Sequence, residues 1–275
     1  MFAAPRRLEL RIVCTAGTPA REMLDVWPEL PISIRWAAGF EDEGLDNVIA
    51  ALEHNHRVCK ILVNDLTDYA WGRIVAAMEH PFPALTDLHL WTFVDGETVP
   101  ALPDSLLCGS ATSLRSLSLQ SVPFPALPNL LLTAPNLVCL RLVDIPSSGY
   151  ISSAAMIDCL SSSTELEQLG ISFRFSQPHP DQQVRRPPPP TRIVLSILSS
   201  FSFEGGSDYL ADIIASVDTP LLEYPNITLL NPVTFRMSDV SSFIGCEYTK
   251  SIEGLDRVHI LFNDGFLDII RRDHR

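Results

Sequence analysis

Lysine is nearly missing from this sequence: Lys60 and Lys250 are the only two, and every other basic residue is arginine. Base of either kind is in deficit, with 20 Lys and Arg against 33 Asp and Glu and a formal net charge of -13. Nucleic acids and anionic membranes are held by basic footprints that displace counterions, so neither is expected as a partner. The six cysteines (Cys14, Cys59, Cys108, Cys139, Cys159 and Cys246) stand singly, with no C-x-x-C pair. That pattern gives no zinc knuckle and no compact disulfide framework, so reduced thiols are expected.

Other absences narrow the class of function. No run approaches the roughly 18 apolar residues of a membrane span, and the opening MFAAPRRLEL has no apolar signal core. An intracellular chain, cytoplasmic or nuclear, is therefore expected, with the glycosylation sequon Asn226-Ile227-Thr228 unused. The glycine loops that cradle phosphates and the G-x-S-x-G turn that presents a nucleophile are missing too. His54 and His56 form half a metal site, with no carboxylate or thiol spaced to complete it. No metal, no cofactor and no enzymatic activity are expected.

What the sequence does contain is repetition. With 46% hydrophobic and 19% charged residues over 275 positions, the chain has ample material for an extended core. The apolar residues recur as L-x-x-L-x-L: Leu85/Leu88/Leu90, Leu114/Leu117/Leu119, Leu137/Leu140/Leu142 and Leu166/Leu169/Ile171. Weaker copies begin at Val58, Leu198, Leu222 and Leu255, and two more, around Leu8/Leu10 and Leu30/Ile32, extend the series toward the N-terminus. Successive copies from Val58 onward are 23 to 33 residues apart. The repeat unit of leucine-rich-repeat proteins spans roughly 20 to 29 residues.

Between copies the chain returns, and several returns carry helix signals. Glu43 to Asn55 places Leu45, Val48, Ile49 and Leu52 on one helical face, and Tyr69 to Glu79 does the same with Ile74, Val75 and Met78. Ser152-Ser153 can cap a helix from Ala154 to Leu160, and Ser207 or Asp208 one from Tyr209 to Val217. Strand then helix, repeated without hairpin turns, requires parallel strands and an α/β class. A helix is about 10–12 Å across and paired strands are about 4.8 Å apart, so such a stack must curve with its strands inside. The expected fold is one leucine-rich-repeat domain over residues 1–275, an irregular curved solenoid of about ten units with an inner parallel sheet and outer helices or turns.

Two features set it apart from a regular array. The ninth position of each unit, where many repeats hold an asparagine bonded to loop backbone, is Phe93, Val122, Ile145 or Arg174, so the corners must satisfy their backbone groups by other means. A polar, proline-rich insertion over residues 177–191, ending in four consecutive prolines after Arg185-Arg186, interrupts the series before Leu198. Gly205-Gly206 reads as a turn.

On each strand the residues between the leucines face away from the core. They form a mixed, largely neutral strip whose centre is Asp87, His89, Trp91, Gln120 and Arg141. Asp87, His89 and Trp91 resemble an acid, a base and an aromatic wall, but alternation on a strand places any such trio on one face. Tryptophan and arginine are over-represented among binding hot spots, so Trp91 and Arg141 are the expected anchors of a protein partner.

One stretch is more specific than the repeat pattern. VPFPALPNLLLTAPNLVCLRLVDIPSSGYISSAAMIDCLSSSTELEQL, with DNVIAALEHNHRVCKI upstream and RRPPPPT downstream, resembles the leucine-rich region of a large family of fungal F-box-like proteins, nearly end to end. The resemblance implies a substrate receptor in SCF-type ubiquitin ligation, in which an F-box docks the adaptor Skp1 and the repeats hold the target. An F-box lies ahead of the repeats and opens with a leucine-proline motif. Here repeat-like sequence begins by Leu8, and Pro28-Glu29-Leu30-Pro31 is too close to strand material to substitute, so Skp1 is an expected partner only if an F-box exists outside this chain. The alternative expectation is a structural or regulatory scaffold unconnected to ubiquitin.

Overall fold

Alternation of apolar and polar residues decides which face each strand turns inward, and the computed structural model shows the outcome for residues 8–37, 42–92, 100–174, 192–230, 239–240, 243, 258–263 and 266–271. In chain order the strands are β1 (Leu10–Val13), β2 (Ile32–Ala37), β3 (Val58–Leu66), β4 (Asp87–Thr92), β5 (Ser116–Gln120), β6 (Cys139–Ile145), β7 (Gln168–Phe173), β8 (Ile193–Val194), β9 (Ser200–Gly205), β10 (Val217–Asp218), β11 (Tyr224–Leu229), β12 (Val258–Asn263) and β13 (Phe266–Arg271). The helices are α1 (Ala20–Val26), α2 (Leu45–Leu52), α3 (Asp68–Ala77), α4 (Leu127–Leu132), α5 (Ser153–Ser162) and α6 (Ser207–Ser216). The class is α/β: an extended parallel sheet flanked by helices.

Strands β1 to β7, then β9 and β11, pair in parallel in the order in which the chain makes them. The apolar copies align across them in one register. Leu88, Leu117, Leu140, Leu169 and Phe201 form one continuous row, and Leu90, Leu119, Leu142, Ile171 and Phe203 the next, all of them buried. Helix packing follows the same order, α1 on α2, α2 on α3, α4 on α5 and α5 on α6. Between β4 and β5 the described residues include a 3-10 turn, Leu106–Gly109, and no α-helix. Between β5 and β6, where prolines break the helical pattern, the six residues of α4 suffice.

The helices begin and end for local reasons. The Thr67 hydroxyl accepts from the Ala70 N–H at 3.2 Å to cap α3, and Ser152 does the same for Ala155 at 3.2 Å to cap α5. The expected cap of α6 by Ser207 or Asp208 is not made. Both residues lie inside the first turn and Gly206 holds the cap position without a side chain, so the helix starts two residues earlier than the sequence suggested. Gly205 is not a turn residue either but the last residue of β9. A Cβ there would stand 2.8 Å from Phe173 Cδ2 and 2.9 Å from Phe203 Cζ, so its missing side chain lets the rings of Tyr150, Phe173, Phe203 and Tyr209 close on one another.

By register the first two copies sit four residues later than the sequence reading placed them, with Ile12 and Ile34 aligned on Ile61. Leu8 is exposed and Leu30 only partly buried, while Leu10, Ile12 and Cys14, then Ile32, Ile34 and Trp36, face the core. At the other end the series does not continue in parallel. β13 pairs antiparallel with β11 and with β12, so the copy expected from Leu255 lies in a hairpin. The residues between β12 and β13 are Asp264-Gly265, a dipeptide that two-residue hairpins favour, and this signal overrides the repeat. A separate strip, β8 beside β10, is pinned by Arg192, whose Nη2 donates to the Ile214 and Val217 carbonyls at 2.6 and 2.8 Å. The proline-rich insertion at 177–191 and Phe93 lie outside the described residues.

The corners after the strands carry a recurring device. Asp65, Ser121 and Asp144, the eighth residues of their units, all have positive φ, at 58°, 58° and 53°. At Asp65 and Asp144 the strand register shifts across the same residue, between Val63 and Leu66 and between Leu142 and Ile145. Aspartate tolerates the left-handed region better than most residues, and a bulge here bends the chain off the sheet.

Among the described residues no helix is long and apolar enough to cross a membrane.

Candidate interaction face

One face of the sheet carries the helices; on the other the alternate residues of β1 to β7, β9 and β11 are half-buried or exposed, except Ser33, which is buried. The register organises them into rows. Arg11, Ser33, Lys60, Asp87, Ser116, Cys139 and Gln168 are neighbours in one, and Arg35, Leu62, His89, Ser118, Arg141 and Gly170 in the next. Trp91 pairs with Gln120 and Gln120 with Val143, one step further along the strands. All five expected site residues, Asp87, His89, Trp91, Gln120 and Arg141, therefore share this face across three adjacent strands, as alternation requires.

The sequence reading missed Arg35. Placing the second copy at Leu30/Ile32 left β2 without outward residues, whereas the alternation in Ile32-Ser33-Ile34-Arg35-Trp36 reads in, out, in, out, in. With Arg35 restored the strip is not neutral. Its register rows from β1 to β7 hold Arg11, Arg35, Lys60 and Arg141 against Asp87, with Glu9 just before β1 ion-paired to Lys60 and the half-buried Asp65 and Asp144 near the ends of β3 and β6.

The side chains differ in how they are held. Lys60 lies 3.4 Å from the carboxylate of Glu9, the residue just before β1. Asp87 accepts from the Thr86 hydroxyl at 2.7 Å. His89 is half-buried, and burial first, then the Arg141 guanidinium, push its pKa below the ordinary 6.5, so it is neutral at neutral pH. Arg141 reaches only the Gln168 amide oxygen, at 3.3 Å, and Arg11 and Arg35 form no ion pair or hydrogen bond with any described residue. Cys59 donates to the Ile32 carbonyl at 3.3 Å, and burial followed by the Glu9 charge raises its pKa, which keeps it a thiol.

This arrangement offers contact chemistry. Asp87 and His89 stand on the same strand with the side chain of Leu88 turned the other way, and no hydrogen bond joins them. Among the described residues no group of three or more His, Cys, Asp or Glu is gathered closely enough to hold a metal ion. The interior space between Leu119, Phe124, Leu142 and Ile151 is lined mainly by apolar side chains, with Gly149 beside them. Compared with protein-family models, with curated proteins and with solved structures, the chain matches none.

Proposed function

We propose that this chain is a leucine-rich-repeat solenoid that binds another protein on the open face of its sheet. The observation that carries the reading is the register. Copies of L-x-x-L-x-L separated by 23 to 32 residues fall into the same two buried rows from β3 to β9, which is how a stack of one repeating unit buries a continuous core. Wide helices on one side and closely spaced strands on the other favour a curved arc, with the open face concave. A concave face built on strands is rigid and presents Asp87, His89, Trp91, Gln120 and Arg141 together, with Trp91 and Arg141 of the types that anchor partners. The domain runs through residues 1–275, the proline-rich insertion at 177–191 included, and the chain acts by binding and not by catalysis.

The resemblance to fungal F-box-like proteins supports a narrower reading, a target-holding segment of an SCF-type ubiquitin ligase adaptor working inside the cell. Affinity capture with the full chain as bait, followed by mass spectrometry, tests both. Partners held by the wild type and lost with Trp91→Ala or Arg141→Ala support the binding face. A partner set unchanged by either variant would count against it. Recovery of Skp1 supports the adaptor reading, and a stable partner set without Skp1 or other ligase subunits favours a scaffold.

A further inference from the structure

The basic character of the open face runs against the charge of the whole chain. Described arginines elsewhere are engaged: Arg21 with Glu53 at 2.8 Å, Arg73 with Asp46 at 2.7 Å, Arg192 with Asp218 at 3.1 Å, and Arg57 with the Leu30 and Pro28 carbonyls. Arg11, Arg35 and Arg141 have no acid partner among the described residues, and all three are exposed on the open face. Arg115, similarly unpaired, stands at its margin one residue before β5. Among the described residues the unpaired arginines thus lie on or beside one sheet face, which concentrates positive potential there in a chain with 33 acidic residues.

Arg35 and Arg141 occupy the same row four strands apart, with Leu62, His89 and Ser118 between them and Trp91 beside His89 on β4. At about 4.8 Å per strand their backbones are about 19 Å apart, the span of about six residues of extended chain. His89, held neutral, adds no charge between them. The row thus has a cation at each end and an apolar or neutral floor between.

We propose that this face takes an extended acidic protein segment lying across the strands, with carboxylates about five or six residues apart on Arg35 and Arg141 and an apolar side chain between them on Leu62 and Trp91. The proposal rests on the reading of this face as the docking surface and adds the chemistry of the partner. Aspartate and glutamate suit it better than a nucleic-acid backbone, because a polyanion longer than the face would meet the acidic remainder of the chain.

The test is selection of 12-residue peptides from a random phage library on the full chain, in parallel with R35E/R141E, with W91A, and with R21E/R73E as a helix-side variant of equal net charge. Circular dichroism confirms that each variant is folded. The expected result is enrichment of peptides with two acidic positions five or six residues apart. Synthetic copies should bind the wild type and R21E/R73E within about twofold of each other and R35E/R141E at least about tenfold more weakly, with affinity falling as salt rises. Peptides without acidic enrichment that W91A still loses would overturn the acidic partner and leave the docking face standing. Peptides indifferent to both R35E/R141E and W91A, or none recovered, would overturn both. Binding of a single-stranded oligothymidylate that depends on Arg35 and Arg141, or a wild-type dimer that R35E/R141E makes monomeric, would also overturn the proposal, reassigning the face to nucleic acid or to a second copy.

Discussion

The Arg174 guanidinium donates to the hydroxyl of Ser121, 3.1 Å away and 53 residues earlier in the sequence. Arg174 holds the ninth position of its unit, where an asparagine would bond the corner backbone, and Ser121 is the buried, left-handed eighth residue of a unit two strands away. A long side chain reaching across the strand-exit side replaces the short one that would act locally. Arg174→Ala should cost about 1–2 kcal/mol in urea unfolding, through the lost bond and the uncovered serine. A substitution with no measurable cost would show that the bond is incidental.

The aligned rows make a sharper test of register. Leu140 sits between Leu117 and Leu169 and is 1% exposed, whereas Gln120, one strand away, faces outward. Leu140→Ala should destabilise by about 2–5 kcal/mol and Gln120→Ala by less than about 0.5 kcal/mol. Similar losses at the two sites would mean that the faces are wrongly assigned.

Tyr209 is 4% exposed among Tyr150, Phe173 and Phe203, and its hydroxyl has no hydrogen-bond partner. Burying an unsatisfied hydroxyl is unfavourable, so Tyr209→Phe should leave stability unchanged or raise it by up to about 1 kcal/mol. Tyr209→Ala should lower it by about 3–5 kcal/mol. The pair of variants separates the ring, which holds the cluster, from its oxygen.

Buried thiols give the molecule an alkaline limit. Burial pushes Cys14 up to about 12 from 9.0, and burial with the adjacent Asp158 charge pushes Cys159 up to about 11. Tyr209 is driven upward too, first by burial and then by Tyr150, Cys159 and Asp212. A folded-state pKa above the unfolded one means that the native state binds more protons in between. The stabilisation is complete below pH about 9 and is lost as pH rises toward about 12. Urea midpoints should therefore fall with pH above about 9, and Cys14→Ala should flatten that slope whatever it does to the midpoint at neutral pH.

His89 reports on Arg141 directly. Arg141→Gln removes the second cause of its lowered pKa but not burial, the first. The imidazole pKa, followed by proton NMR, should move up and still remain below 6.5. No movement would separate the two side chains in solution.

Most of the sheet was legible because a strand's period of two and the repeat's fixed offsets are both written in single residues. From Lys60 through Gln168 the outward positions fall where the leucines require. What stayed hidden was decided elsewhere in the chain. The first two copies lack a second leucine at the usual offset, and their inward set, Leu10/Ile12/Cys14 and Ile32/Ile34/Trp36, becomes recognisable through pairing with Val58, Ile61 and Val63. That misplacement alone concealed Arg35 and made the face look neutral. The reversal at β13 follows from a dipeptide turn that carries no repeat signal. The role of Gly205 depends on Phe173, whose ring occupies the volume a side chain would fill.

Because the main sheet is laid down in chain order from β1 to β9, with each parallel strand gripping only its neighbours on either side, tension applied at the N-terminal end would enter at the edge strand β1 and peel the array strand by strand. Extension in an optical trap should proceed by many short, low-force steps, without the single high-force rupture of a sheet whose terminal strands are loaded in shear.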